Sequence, residues 1–293
     1  LNPKLKPALQ TLAAVLLWGT APIGTRYLVG NNHIGLPAIP FVALRYFLAL
    51  PAFVALAVWG RAWLWSRRDW KLGAVCALVG VTGYNLPNAL GTATVSAGMI
   101  GLLNGAEPLM IVLLMALLHR RMPGRWTVLA GITGLAGIVL LAHGAGPALG
   151  DAKGIALVLF GALNWSVYCV LVPPLLHRRG AMMVTAVTMS IGTLPMVLVG
   201  ASGMPEVVSR LSLPQWEILL ALSSTAILAI FCWNAGSKGL GTEQSGWFLY
   251  LLPVVSLAGG VLFLHEPLTG VEFFGGGLIM ASVLMSQRMG RTP

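Results

Sequence analysis

Long apolar stretches separated by short polar turns run through the whole chain. The charge-free intervals place spans at 8–29, 36–59, 72–91, 96–118, 125–143, 154–173, 181–201, 214–236, 243–264 and 269–287. A helix needs about 20 apolar residues to cross the hydrocarbon core, which each interval roughly supplies. Residues 72–106 carry no charge and are too long for one helix, so the Gly91-Thr92-Ala93-Thr94 run marks a tight turn between two. The pattern predicts an all-α integral membrane protein of ten transmembrane helices.

The stretch from Ala93 to Gly144 sets the layout: a span with a central proline, a short basic turn, then a span with glycines at 131, 134 and 137. The layout returns from Gly241 to Arg288. A shift of 145 residues puts Gly101 on Gly246, Pro108 on Pro253, Leu117 on Leu262, Gly131 on Gly276 and Ala136 on Ala281. A shift of 147 puts Trp18 on Trp165 and Leu12 on Leu159. The chain reads as a duplication, with residues 1–145 as the first five-helix repeat and 146–293 as the second. Because five is odd, the second repeat enters the membrane upside down. Inverted repeats of this kind place a substrate site near mid-membrane, between the halves.

Composition agrees. Hydrophobic residues make up 57% of the chain and charged ones 9%, with a mean hydropathy of +0.84; a soluble domain carries about 25% charged residues. The net charge of +10 would suggest nucleic acid in a soluble protein. Here the charge sits in short loops and reads as topology, with the lipid bilayer as the partner and no nucleic acid. With the N-terminus inside, 14 of the 18 Lys and Arg fall in inner segments, only Lys153 and Arg210 fall outside, and Arg26 and Arg45 lie within spans. That is a strong positive-inside signal, with both termini cytoplasmic. Trp63, Trp65 and Trp70 fit an interfacial belt. Cys76, Cys169 and Cys232 lie far apart inside spans, which gives no metal-ligand spacing. Glycine stripes such as Gly131 to Gly134 and Gly275 to Gly277 fit close helix packing.

Several runs resemble a known family. Ala43-Leu44-Arg45-Tyr46-Phe47-Leu48-Ala49 in span two resembles a signature of the drug/metabolite transporter superfamily, EamA branch. Leu16-Leu17-Trp18-Gly19-Thr20 resembles its first-span pattern, and Leu264-His265-Glu266-Pro267-Leu268 resembles its turn after span nine. Arg120-Arg121-Met122 departs from that turn in the first half. Within the branch, overall similarity and the aromatic content of the spans most resemble the YddG-type aromatic amino-acid exporters. The resemblance implies ten helices in an inverted arrangement, a central cavity and alternating access.

Arg45 and Glu107 are the clearest charges inside spans, and such charges are functional or paired by default. They lie about nine and eleven residues from the outer ends of spans two and four, so at about 1.5 Å per residue their depths differ by about 3 Å. A buried ion pair locking the two spans is expected; proton carriage by Glu107 is the rival. Candidate substrate-binding residues are Trp18, Tyr84, Asn85, Asn88, Asn104, Trp165, Tyr168, Ser245, Trp247 and Tyr250, with Trp233 and Asn234 nearby in sequence pattern. Asn85 and Asn88 share a helix face, as do Trp247 and Tyr250. The bland reading of each amide is helix–helix glue. Taken together they suggest a neutral, aromatic-walled pocket for an uncharged or zwitterionic metabolite. Pro108 and Pro253 are hinge candidates, or static kinks.

No G-x-x-x-x-G-K-[ST], H-E-x-x-H or G-x-S-x-G sequence is present, and the five histidines lie near span ends. No enzyme activity, catalytic residue, metal or cofactor is expected. The leading expectation is a secondary transporter in the bacterial inner membrane, exporting neutral amino acids and related small molecules. A carrier of phosphorylated or nucleotide sugars or of cationic drugs is the alternative, with a channel behind it. Both halves of the cavity come from one chain, so a monomer suffices.

Overall fold

The computed structural model describes residues 4–118, 120, 125–143 and 151–287. Every regular element among them is helical. In chain order these are α1 (Leu5–Val29), α2 (Ala38–Trp59), α3 (Arg67–Ala77), α4 (Gly83–Thr94), α5 (Ala97–Asn104), α6 (Glu107–Leu118), α7 (Arg125–His143), α8 (Ala152–Leu171), α9 (Pro173–Arg179), α10 (Ala181–Gly200), α11 (Met204–Arg210), α12 (Leu213–Leu240), α13 (Thr242–Gly246), α14 (Leu251–Leu264) and α15 (Gly270–Gln287). A π turn, Leu78–Thr82, joins α3 to α4, and a 3₁₀ turn, Trp247–Tyr250, joins α13 to α14.

Among the described residues, seven stretches are long and apolar enough to cross a membrane: Leu5–Val29, Ala38–Trp59, Ala97–Leu118, Ala152–Leu171, Ala181–Arg210, Leu213–Leu240 and Gln244–Leu264. Val128–Leu140 and Gly270–Ser282 are shorter apolar helices. The rod from α3 to α4 begins with four charged residues and carries Asn85, Pro87 and Asn88, which dilute its hydropathy. The chain is therefore a multi-pass membrane protein.

Helix starts are written in the polar residues between spans. Ser66 accepts from the Asp69 N–H at the head of α3, Ser96 from Met99 at α5, and Asp151 from Gly154 at α8. Each cap satisfies an N–H that the first helical turn leaves free. Ser212 and Gln215 complete a capping box on α12.

The principal packing pairs are α1 with α12, α4 with α8, α2 with α10, α5 with α14 and α7 with α15. The secondary pairs include α1 with α14 and α6 with α8. Exchange the elements of 1–145 for those of 146–293 and this set maps onto itself. Lipid supplies no hydrophobic drive between helices, so such contacts depend on close approach. A Cβ on Gly101 would sit 2.5 Å from Ser256 Cβ, and one on Gly137 would sit 2.7 Å from the Gly275 carbonyl oxygen. The glycine stripes divide: Gly134 and Gly276 also sit against neighbours, whereas Gly131 and Gly277 meet nothing within 4 Å.

Some backbone irregularities recur at the sequence shift of 145 residues, although Arg61, also left-handed at φ 54°, has no such counterpart. Arg120 and His265 both adopt left-handed φ, at 50° and 54°. Helical structure breaks at Gly105 and Ala106, between α5 and α6, and at the 3₁₀ turn ending on Tyr250. Pro108 and Pro253 lie just beyond the two breaks. Proline has no N–H and its ring crowds the preceding turn, which is the physical cause of the interruption.

Candidate substrate cavity

The breaks and prolines converge on one cavity. Six of the rods around it carry a proline within the helix: Pro22 in α1, Pro51 in α2, Pro87 in α4, Pro108 in α6, Pro195 in α10 and Pro253 in α14. The π turn just before α4 adds another irregularity, a feature frequent at functional sites. The cavity has a volume of about 100 Å³, and α1, α2, α4, α5, α6, α8, α10, α12 and α14 all contribute to its lining.

One wall is aromatic. Trp18 and Trp165, which the 147-residue shift makes equivalent positions, meet edge to face with ring centres 5.0 Å apart. Tyr84 lies 5.7 Å from Trp165. All three line the cavity. Tyr168 stacks on Trp165 at 5.0 Å, and Trp233 packs against Trp18 at 5.4 Å. Neither of these two lines the cavity. Tyr168, expected to bind substrate, instead supports the wall from behind: its hydroxyl donates to Asn234 Oδ1 at 3.0 Å, and Asn234 Nδ2 donates to Thr185 Oγ1 at 2.8 Å.

The facing wall is polar. Asn85, Asn88, Asn104, Arg45 and Glu107 all line the cavity. The Tyr46 hydroxyl donates to Asn85 Oδ1 at 2.7 Å, while Asn85 Nδ2 donates to the Val81 carbonyl in the π turn. Asn88 Nδ2 reaches the Tyr84 carbonyl at 3.3 Å. Asn104 is buried, and its Oδ1 has no hydrogen-bond partner.

The expected ion pair between Arg45 and Glu107 is not formed. Arg45 Nε donates to the Leu222 carbonyl in α12 at 3.1 Å. Glu107 joins no ion pair or hydrogen bond through its carboxylate among the described residues. Similar depth does not bring the two together, because α2, which carries Arg45, packs chiefly on α10 and α12, while α6, which carries Glu107, packs chiefly on α8. Both residues line the cavity.

Other expected residues fall elsewhere. Ser245 is fully buried, has an unpartnered hydroxyl and does not line the cavity. Trp247 and Tyr250 belong to the 3₁₀ turn, and their side chains lie outside the described residues. Pro108 and Pro253 are buried beside the cavity rather than in its wall. Thr25, Tyr46, Thr92 and Ser256 line it without having been expected. Tyr46 had a signal, since it follows Arg45 in the family-like run. Ser256 had none: its hydroxyl donates to the Gly19 carbonyl, 237 positions away.

Among the described residues the polar load is uneven. Thr25, Arg45, Tyr46, Tyr84, Asn85, Asn88, Thr92, Asn104 and Glu107 all belong to 1–145, whereas 146–293 supplies Trp165, Met189, Ala226, Ile230, Leu252 and Ser256.

Ionic clusters fasten the bundle on either side. Beyond Thr92, Arg26 Nη1 donates to the Thr92 and Ala93 carbonyls at 3.0 and 2.8 Å. Its Nε lies 3.4 Å from Glu266 Oε1, close enough for an ion pair but not aligned as a hydrogen bond. Glu266 also accepts from the Ala97 N–H. At the opposite end, Asp69 pairs with Arg178 at 2.8 Å and with Arg179 at 2.7 Å. Burial alone would raise the Asp69 carboxyl, but the bonds from Arg179, Arg178 and Ser66 outweigh it and hold the group below its ordinary value.

A cavity walled by broken apolar helices in a multi-pass chain defines a membrane transporter architecture. The EamA-like transporter family model matches twice, over residues 5–142 and 152–287. The chain belongs to the EamA-like transporter family. It is similar to an uncharacterized transporter of Archaeoglobus fulgidus, at 24% identity over 274 residues, spanning 94% of this chain and 96% of that protein. It is also similar to a protein of Streptantibioticus cattleyicolor named a probable terminal-alkyne amino-acid exporter, at 28% identity over 229 residues, covering 75% and 74%. A crystal structure of another protein superposes with a TM-score of 0.66 at 22% identity, covering 98% of this chain and 99% of that one, a likeness of fold.

Proposed function

We propose that this chain is a secondary transporter that exports neutral amino acids, aromatic ones foremost, and related small molecules by alternating access. The observation that carries the reading is the cavity itself. Trp18, Trp165 and Tyr84 offer ring faces to an apolar side chain, and Asn85, Asn88 and Asn104 offer amides to its polar end. It lies where helices break, as transporter sites do. The relative named an amino-acid exporter supports the same class.

The proposal includes ten spans as two inverted five-helix repeats, 1–145 and 146–293, with both termini cytoplasmic in a bacterial inner membrane. The double family match, the exchangeable packing pairs and the paired left-handed turns support the duplication. Pro108 and Pro253, beside matching breaks, are the proposed hinges. One chain supplies both walls and acts as a monomer. The unpaired Glu107 favours a second reading, a carrier of cationic drugs.

Uptake into proteoliposomes tests these readings, with labelled phenylalanine, tryptophan, threonine and a cationic drug in parallel. Saturable phenylalanine or tryptophan flux is expected. Trp165→Ala should weaken it by roughly tenfold, the scale of about 1.4 kcal/mol from one lost ring contact. Flux of the drug alone would replace the amino-acid reading with the second one.

A further inference from the structure

Two opposite charges face one cavity in a membrane protein and do not meet. Arg45 is 7% exposed and Glu107 1%. Arg45 gives Nε to the Leu222 carbonyl, and its two terminal nitrogens donate to no described residue. The Glu107 carboxylate has no described partner either. Asn104 Oδ1, across the helix break from Glu107, is buried and equally without a partner. Holding charges and polar groups in a protein interior without partners is costly. Groups of this kind collected around a cavity are in place for something that enters it.

We infer that Arg45 and Glu107 are the two charged ends of a site for an α-amino-acid zwitterion. The inference rests on the amino-acid reading above and gives it a mode of binding. The substrate carboxylate meets the free edge of the Arg45 guanidinium, whose planar fork matches two carboxylate oxygens. The ammonium donates to Glu107 and to Asn104 Oδ1. The side chain then lies against Trp18, Trp165 and Tyr84. A zwitterion carries its charges on neighbouring carbons, so one molecule inserts between the two residues and satisfies both. Among the described residues the cavity lining holds one charge of each sign, so a lone cation leaves Arg45 unmatched and a lone anion leaves Glu107 unmatched. This makes the site selective against drugs and phosphates without a steric filter.

Binding to purified protein in nanodiscs tests the inference with three probes: L-phenylalanine, 2-phenylethylamine, which lacks the carboxylate, and 3-phenylpropionate, which lacks the ammonium. Glu107→Gln should weaken phenylalanine and 2-phenylethylamine by about tenfold or more and change 3-phenylpropionate by less than about twofold. Arg45→Gln should do the reverse, sparing 2-phenylethylamine. Asn104→Leu, an independent variant of a neutral residue, should weaken 2-phenylethylamine and spare 3-phenylpropionate. Melting curves of each variant check folding. If every variant weakens all three probes alike, or changes none, the zwitterion site is wrong and the residues are structural. If the unaltered protein binds no phenylalanine, the amino-acid reading fails and this inference falls with it.

Discussion

Asp69 shows how a single side chain fastens an end of the bundle. It is 3% exposed and holds both Arg178 and Arg179. Its carboxyl is held below the ordinary value of 3.8, so its stabilising contribution is complete above that pH and is lost as pH falls through the lower, folded value. Asp69→Asn should lower the melting temperature at pH 7, and the gap from the unaltered protein should close below about pH 3.8; an equal gap at both pH values would count against the cluster. At this scale the sequence was informative about which residues matter and poor at pairing them. Intramembrane charge marked Arg45 and Glu107, and both line the cavity. Their pairing was inferred from depth alone, and depth carries no information about which helices are neighbours. Tyr168 has the composition of a wall residue, but its phenol turns away to Asn234.

The helices themselves were largely legible. Apolar length and loop charge place rods close to where they occur, because burial in lipid demands both. The internal breaks followed from Pro108 and Pro253, whose chemistry forbids a regular ladder. The π turn at Leu78–Thr82 carried no such mark, since no proline or charge interrupts it. The glycine stripes gave a packing face without saying which glycine touches a neighbour. That distinction makes a paired test. Gly101→Ala puts a Cβ against Ser256 and should cost about 1–3 kcal/mol of stability, as overpacking does. Gly277→Ala meets open space and should leave the melting temperature unchanged or slightly raised. Fluorescence-detected melting of both proteins in detergent reads the difference; equal losses would mean that the α5–α14 approach is looser than drawn.

For the molecule as a whole, the 145-residue shift was visible in a few glycines, leucines and prolines, and the left-handed pair Arg120 and His265 shows the same shift in the backbone. Which helices pair across the halves was not visible, because apolar faces look alike to a reader of sequence. Nor was the uneven lining, in which, among the described residues, nearly every hydrogen-bonding group comes from the first half and the second half supplies mostly hydrocarbon. That imbalance makes the two halves unequal in inheritance. Changes accumulating in residues 1–145 alter what is recognised, while those in the remainder alter how readily the wall yields to it. A hybrid that joins this chain's first half to the second half of the Archaeoglobus fulgidus relative should keep this chain's ranking of substrates at a changed turnover. The reciprocal hybrid should adopt the relative's ranking. Substrate choice would then travel through this lineage as a detachable half-protein, free to be recombined without redesigning the machinery that moves it.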